Sequence, residues 1–349
     1  MSPLRCKGFS ACGVAAGIKK NGDMDLGLLV SDRPAAVAAV FTTNIVQAAP
    51  VALDRERVKG GVCRAVIVNA GNANCANGEQ GMIAARAMTA AVSRVLGIAE
   101  DQVLAASTGV IGAPFPIDTV ESAVPDLVDS LDENGTANLA RAIMTTDTRP
   151  KTGSRHGEAG GIPYRIVAVA KGSGMIRPDM ATMLCFVWTD AEVAVADLQT
   201  ALKRAVDDSF NRITIDGDTS TNDTAILMAN GASGARIRPA DDLAAFQRLV
   251  SDLCRDLARQ MVRDGEGVTK VVDLAVRGTR SDDEARAIAD TIAHSPLVKT
   301  AFFGEDANWG RIIAAAGRAG VDFDPDRVAL FFNDVQMVKN GRGCGQADC

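Results

Sequence analysis

A polar loop, Lys171-Gly172-Ser173-Gly174-Met175-Ile176-Arg177-Pro178-Asp179-Met180-Ala181-Thr182, runs directly into the apolar stretch Met183 to Trp188. An unbroken apolar run of that length, bounded by turn residues, reads as a buried strand. Gly172 and Gly174 open backbone conformations that other residues avoid, and Pro178 fixes one φ angle. Such a loop can hold the Ala181-Thr182 peptide against the strand in an unusual geometry. A hydroxyl held there is placed to attack its own preceding carbonyl. If that N→O acyl shift runs on to hydrolysis, Thr182 becomes a new N-terminus carrying a hydroxyl nucleophile and an α-amino base of pKa roughly 8. The same pattern also suits a plain turn or a phosphate cradle.

The chain of 349 residues, 47% of them apolar, has enough material for one large domain or two intimate lobes. Its net charge of −6 and its lack of any Lys/Arg block argue against a nucleic-acid or anionic-membrane surface. Small molecules or copies of the same chain are the expected partners. The N-terminal MSPLRCKGFSACGVAAG has neither a signal-peptide core nor an Arg-rich amphipathic pattern, and no later run reaches membrane-span length, so a cytoplasmic location is expected. The eight cysteines form no C-x-x-C pair, so no zinc or dithiol motif is expected, and neither a metal nor a prosthetic group. Only His156 and His294 are present, one in the polar loop TGSRHGEAGG and one at a helix end, which favours chemistry without histidine.

Along the chain, the runs LGLLV, AAVAAVF and AVIV between Leu26 and Val68 read as strands separated by turns. The last empties into Asn69-Ala70-Gly71-Asn72-Ala73-Asn74, where amides can cap a helix or line a pocket. A helix is predicted from Gln80 to Leu96, closed by Gly97. Strand Val103 to Ala106 leads into Ser107-Thr108-Gly109, which offers a hydroxyl beside an open backbone N–H, either an oxyanion site or a turn. Residues 117–144 read as helical with a break near Asn134-Gly135, 150–161 as a loop, and Arg165 to Ala170 as a strand. Thr189 to Glu192 offers a helix start, with Leu198, Leu202, Ala205 and Val206 as its buried stripe. Asp216 to Thr224 superficially resembles a calcium loop, but Thr221 and Leu227 stand where glycine and a bidentate glutamate are needed, so a turn supporting strand Ala225 to Ala229 is the better reading. Leu243 to Met261 is a strongly amphipathic helix, ending at Arg263-Asp264-Gly265-Glu266-Gly267. Val271 to Val276 reads as a strand, Ser281 to Glu284 as a capping box, 304–311 equally as a helix cap or a functional segment, and Val328 to Phe332 as the last strand.

The motifs KGSGMIRPDMATML and SFNRITIDGDTSTNDTAILMANG, with GFSACGVAAGIK, VNAGNANCANG, STGVIG, AIMTTDTRPK, RDGEGVTK and SPLVKTAFFGEDANWGRIIAAAGRAG, are similar over nearly the whole chain to the ArgJ family, the glutamate N-acetyltransferases or ornithine acetyltransferases. The resemblance implies cleavage between Ala181 and Thr182 into an α chain 1–181 and a β chain 182–349. It further implies Thr182 as nucleophile, Thr108 and Gly109 as the oxyanion hole, and Thr145 (Thr146 the nearest alternative), Lys171, Thr182 and Glu266 as substrate-binding residues. By the same resemblance the acetyl group passes from N-acetylornithine to glutamate through a threonyl ester, acetyl-CoA being a further donor in some members, and the chains assemble as an α2β2 heterotetramer. Family members continue past the equivalent of Cys349, so part of the pocket and the C-terminal lobe are expected to be missing.

Alternating strands and helices predict an α/β or α+β fold with a mixed sheet, and the resemblance adds two interlocked lobes with sheets covered by helices, in a self-processing, ArgJ-like (DOM-fold) architecture. Two other readings stay open at this point. One is an N-terminal-threonine amidase or aminopeptidase that passes the acyl group to water. The other is a non-catalytic binding protein whose Gly and Thr loops cradle an anion.

Overall fold

The computed structural model describes residues 4–177, 183–238 and 240–344. The chain divides into two compact units at Glu266/Gly267.

The first unit contains strands β1 (Phe9–Val14), β2 (Leu26–Phe41), β3 (Val62–Asn72), β4 (Val103–Val110), β5 (Lys151–Ala159), β6 (Ile162–Lys171), β7 (Leu184–Thr189), β8 (Glu192–Val193), β9 (Thr224–Ala229) and β10 (Arg236–Ile237). Its helices are α1 (Ala49–Arg57), α2 (Gly78–Leu96), α3 (Ile117–Asp129), α4 (Thr136–Ala142), α5 (Val195–Asp207) and α6 (Ala240–Arg263). The main sheet runs β4-β3-β2-β9-β7-β6-β5, with β1 also paired to β2. It is mixed, as expected: β3 and β4 are parallel, as are β7 and β9, while β2 is antiparallel to β3 and to β9.

This one ladder is folded over on itself, and the period-2 alternation of its strands reveals how. Ile166, Ala168, Cys185, Val187, Ala225 and Leu227 pack with Leu198, Leu202, Phe246 and Leu253 of α5 and α6. The intervening residues Val167, Val169, Phe186, Trp188, Ile226 and Met228 pack instead with Val66, Val68, Leu104 and Ala106 of β3 and β4. Ile67, Val103 and Ala105 turn the other way, onto Met88, Val92, Val120 and Val124 of α2 and α3. The order is helix, sheet, sheet, helix, and β7 is buried on both faces, as its apolar sequence requires.

The strand that passes between the two halves is β2. The sequence divides it into two strands at Asp32-Arg33-Pro34, but the segment is one element whose pairing shifts between Val30 and Ala35. Proline has no N–H for the ladder, so it is tolerated where pairing is interrupted.

Other expectations need correction. Residues 150–161 are β5 and a Gly160-Gly161 turn rather than a loop, because β5 is the sheet's edge and carries exposed His156 and Glu158 there. The helix near Thr189 begins only at Val195, after the two-residue β8. The stripe Leu198, Leu202, Ala205 and Val206 is buried as expected, and Gly97 closes α2 at φ +63°.

The second unit holds α7 (Asp282–Ala293), α8 (Pro296–Phe303), α9 (Trp309–Gly317) and a hairpin of β11 (Leu330–Phe332), β12 (Val335–Lys339) and β13 (Arg342–Gly343). Its buried centre consists of Ile288, Ile292, Val298 and Ala315. Ser281 caps α7 by accepting the Glu284 N–H, and Asn308 caps α9 by accepting the Arg311 N–H, so within 304–311 the amide is a helix cap. The strand expected over Val271–Val276 is absent: Val271, Val272 and Leu274 stay exposed, and this alternating run lacks a ladder to join. Among the described residues no helix is long and apolar enough to cross a membrane.

Candidate active site

Parallel pairing sets the end of β4 beside the end of β3, with Ser107, Thr108 and Gly109 opposite Asn69, Ala70 and Gly71. Gly109 has φ +136°, and a Cβ there would run into the backbone of Gly71 and Asn72, so only glycine fits. The asparagine run is the frame of this turn. Ser107 donates its hydroxyl to Asn69 Oδ1 at 2.6 Å, and Asn72 Oδ1 accepts the Asn74 N–H at 2.8 Å. Asn222, from the segment before β9, donates to the carbonyls of Ala73 and Ser107 at 2.6 and 2.8 Å. That segment is thus a hydrogen-bonded support, the role read for it in the sequence.

Lys171 closes β6, in register with Leu184 of β7, and is only 2% exposed. Its ammonium donates to Thr145 Oγ1 at 2.6 Å and to Thr108 Oγ1 at 3.3 Å. Three residues singled out from sequence therefore meet around one buried cation. Thr146, the alternative to Thr145, is instead hydrogen-bonded to Ser173 Oγ at 2.7 Å.

The charge that balances Lys171 was not picked out from the sequence. Asp147 Oδ2 lies 3.7 Å from Lys171 Nζ and accepts the Thr145 N–H at 3.1 Å. Asp147 Oδ1 accepts from Lys151 Nζ at 2.6 Å and from the Gly172 N–H at 2.7 Å. Lys151, 1% exposed, also pairs with Asp264 Oδ2 at 2.7 Å. Two buried cations and two carboxylates thus alternate, and no buried charge lacks a partner. Burial pushes the Lys171 pKa below the usual lysine value despite Asp147, and the Lys151 charge adds to that lowering. For Asp147 burial acts upward, but the two lysines and the Gly172 N–H outweigh it and hold the carboxyl below its ordinary range.

The loop after Lys171 is pinned at several points. The Glu266 N–H donates to Ser173 O at 2.7 Å, and a Cβ at Gly174 would come within 2.5 Å of Glu266 Oε1. Glu266 itself is exposed and so free to meet a ligand from this side. Asp216 accepts the N–H groups of Met175 and Ile176, the latter at 2.9 Å, and Met175 takes φ +56°. Ala181 and Thr182 lie outside the described residues. The chain is described again from Met183, whose N–H donates to Asp223 Oδ1 at 3.0 Å.

Thr108, Gly109, Thr145 and Lys171 thus form one cluster, and Glu266 adjoins the loop that leaves it. The residues missed were Asp147, Lys151, Asp264 and Asp223. A charged residue inside each of the motifs MTTD, RPK, RDGEG and TND was the available signal.

The ArgJ family model matches residues 10–348. The arginine biosynthesis bifunctional protein ArgJ of Geobacter sulfurreducens is 53% identical over 340 residues, covering 97% of this chain and 86% of that protein. The protein of the same name from Syntrophotalea carbinolica is 49% identical, covering 98% and 87%. Ornithine acetyltransferase from Mycobacterium tuberculosis, solved with ornithine, is 33% identical over 51% of this chain and 94% of that one, with a TM-score of 0.45. The chain belongs to the ArgJ family.

Proposed function

We propose that the chain cleaves itself between Ala181 and Thr182 and that the freed threonine carries an acetyl group from N-acetylornithine to glutamate. Thr182 attacks the acetyl carbonyl with its own α-amine as base, and ornithine leaves. Glutamate then takes the acetyl group from the threonyl ester. Thr108 and the Gly109 N–H face the oxyanion, Lys171 and Thr145 receive a substrate carboxylate, and Glu266 receives an ammonium. The observation that carries this reading is the Lys171 ammonium, buried yet within hydrogen-bond reach of both Thr108 and Thr145. It brings a fixed positive charge to the end of β4, where the one glycine the turn accepts leaves a backbone unobstructed. Membership of a family whose relatives are named for bifunctional arginine biosynthesis supports the reading and, with it, acetyl-CoA as a second donor that makes N-acetylglutamate. The proposed chemistry draws on no metal or prosthetic group, and the enzyme works in the cytoplasm as an α2β2 assembly.

Denaturing mass spectrometry of the purified protein is expected to give two species divided between Ala181 and Thr182, while Thr182→Ala gives one. Coupled assays are expected to show N-acetylglutamate formed as N-acetylornithine is consumed, with activity in Thr182→Ala reduced to background. Release of free acetate without N-acetylglutamate would instead assign the amidase reading.

A further inference from the structure

The Lys171 ammonium is enclosed by protein groups on three sides. Nζ donates to Thr145 Oγ1 at 2.6 Å and to Thr108 Oγ1 at 3.3 Å, and Asp147 Oδ2 stands 3.7 Å away as its counter-charge. Lys171 is 2% exposed, and so is Thr108. An ammonium has three N–H donors and no lone pair, so each of its hydrogen bonds also fixes the role of the partner. Thr108 and Thr145 can meet Lys171 only as acceptors. Their hydroxyl protons are therefore turned away from Nζ and left to donate elsewhere.

That restriction has a direct bearing on an oxyanion site. A threonine hydroxyl otherwise rotates to offer either its proton or a lone pair, and only the proton stabilises a negative oxygen. A hydroxyl that already accepts from a cation is also the stronger donor, because the first bond polarises its O–H. Thr108 is held for this use by the β4 ladder, where it lies opposite Ala70 and next to Gly109. Asp147 keeps the cation charged, opposing the burial and the Lys151 charge that lower the Lys171 pKa.

We propose that Lys171 is a positioning residue that acts on the reacting acyl group through Thr108, by holding the Thr108 hydroxyl as a proton donor to the oxyanion. The inference rests on the reading of Thr108 as an oxyanion-hole residue. When the nucleophile adds to the acyl carbonyl, negative charge gathers on the carbonyl oxygen and the Thr108 O–H bonds to it, while no proton changes owner. Thr145 passes the same positive charge to a substrate carboxylate through its own hydroxyl. Lys171 stands behind both contacts.

The test uses p-nitrophenyl acetate, an acetyl donor with no ionised group, so a residue that serves only to bind the amino acid leaves its reaction unchanged. The rate of the first p-nitrophenol release, per cleaved chain counted by denaturing mass spectrometry, is measured in wild type, Thr108→Val, Lys171→Met and the double variant. T108V and K171M are each expected to be slower than wild type by about 100-fold. The double variant is expected to lie within about twofold of T108V. A general loss of packing in K171M would carry through to the double variant, whereas a loss routed through Thr108 disappears once that hydroxyl is gone. Losses that multiply in the double variant overturn the proposal. So does a wild-type rate in K171M accompanied by a raised KM for N-acetylornithine, which would make Lys171 a carboxylate ligand alone and leave the Thr108 and Thr182 readings standing. A wild-type rate in T108V removes the oxyanion reading of Thr108 and the proposal with it. Should K171M fail to fold or stay uncut, Lys171→Gln, which keeps a neutral donor, takes its place in the same comparison.

Discussion

Two buried aspartates flank Lys171, and the protein treats them in opposite ways. Asp147 is saturated: two lysines and two backbone N–H groups approach its oxygens, and its proton affinity falls below the ordinary value. Asp223 accepts the Met183 N–H at 3.0 Å and, among the described residues, has no lysine paired directly with it, and burial raises its affinity. Both side chains are shielded from water, so burial alone does not decide the outcome. What decides it is how many donors the fold supplies to offset lost hydration. The saturated carboxyl is a structural anion, and burial makes the other keep its proton to higher pH.

The contrast breaks most violently at Asp147. Replacing it with Asn leaves Lys151 and Lys171 buried together without the shared anion, and a loss of about 3–5 kcal/mol is expected, read as a lower urea midpoint. Lys151→Met is a milder disruption, because Asp147 retains Lys171 and Asp264 retains the N–H and hydroxyl of Thr148 as donors. About 1.5–3 kcal/mol is expected from the same measurement. The smallest effect sharpens the comparison through its sign. Asp147 has a depressed pKa when folded, so it stabilises above the unfolded value of about 3.9, and that contribution is lost as pH falls through the folded pKa. Asp223 has a raised pKa, so the folded state holds an extra proton between the two values and stability declines as pH climbs through that window. Tm relative to wild type is therefore expected to worsen with rising pH for D147N and to improve for D223N. Parallel trends would show that the two carboxyls are alike after all.

Local signals in the sequence were legible wherever one residue type has a narrow use. Gly97 closes α2, Ser281 opens α7, and the stripe from Phe246 to Met261 faces the core of the first unit. The reading failed where partners distant in sequence decide. Asp32 to Pro34 carries every mark of a turn, yet the chain continues as β2 because β3 and β9 hold it on either side of the interruption. β5 looks like a loop because its mostly polar, half-buried residues show no apolar alternation, although Gly153 is small there to admit Leu253 of α6. Val271 to Val276 has the alternation of a strand without the neighbour that would make it one. For the site, the motifs identified Thr108, Thr145 and Lys171, whereas the Asp147–Lys151 pair, four residues apart, gains its meaning only when Lys171 from the end of β6 and Asp264 from beyond α6 close around it. Pairing of buried charges leaves no mark on linear spacing when such partners come from different elements.

The position of β9 between β2 and β7 also imposes an order of assembly. During synthesis, the residues on both sides of the Ala181-Thr182 bond emerge before residues 224–229 exist. Until those residues insert, β7 lacks its parallel neighbour and Met183 lacks the carboxyl that holds its N–H. A chain interrupted before β9 enters would have to recruit its central strand from a separate molecule, at the entropic cost of association. With Asp223 one residue ahead of β9, the Met183 N–H finds its acceptor only once that central strand is in place, and from then on β2 and β7 are joined through the sheet as well as through the chain.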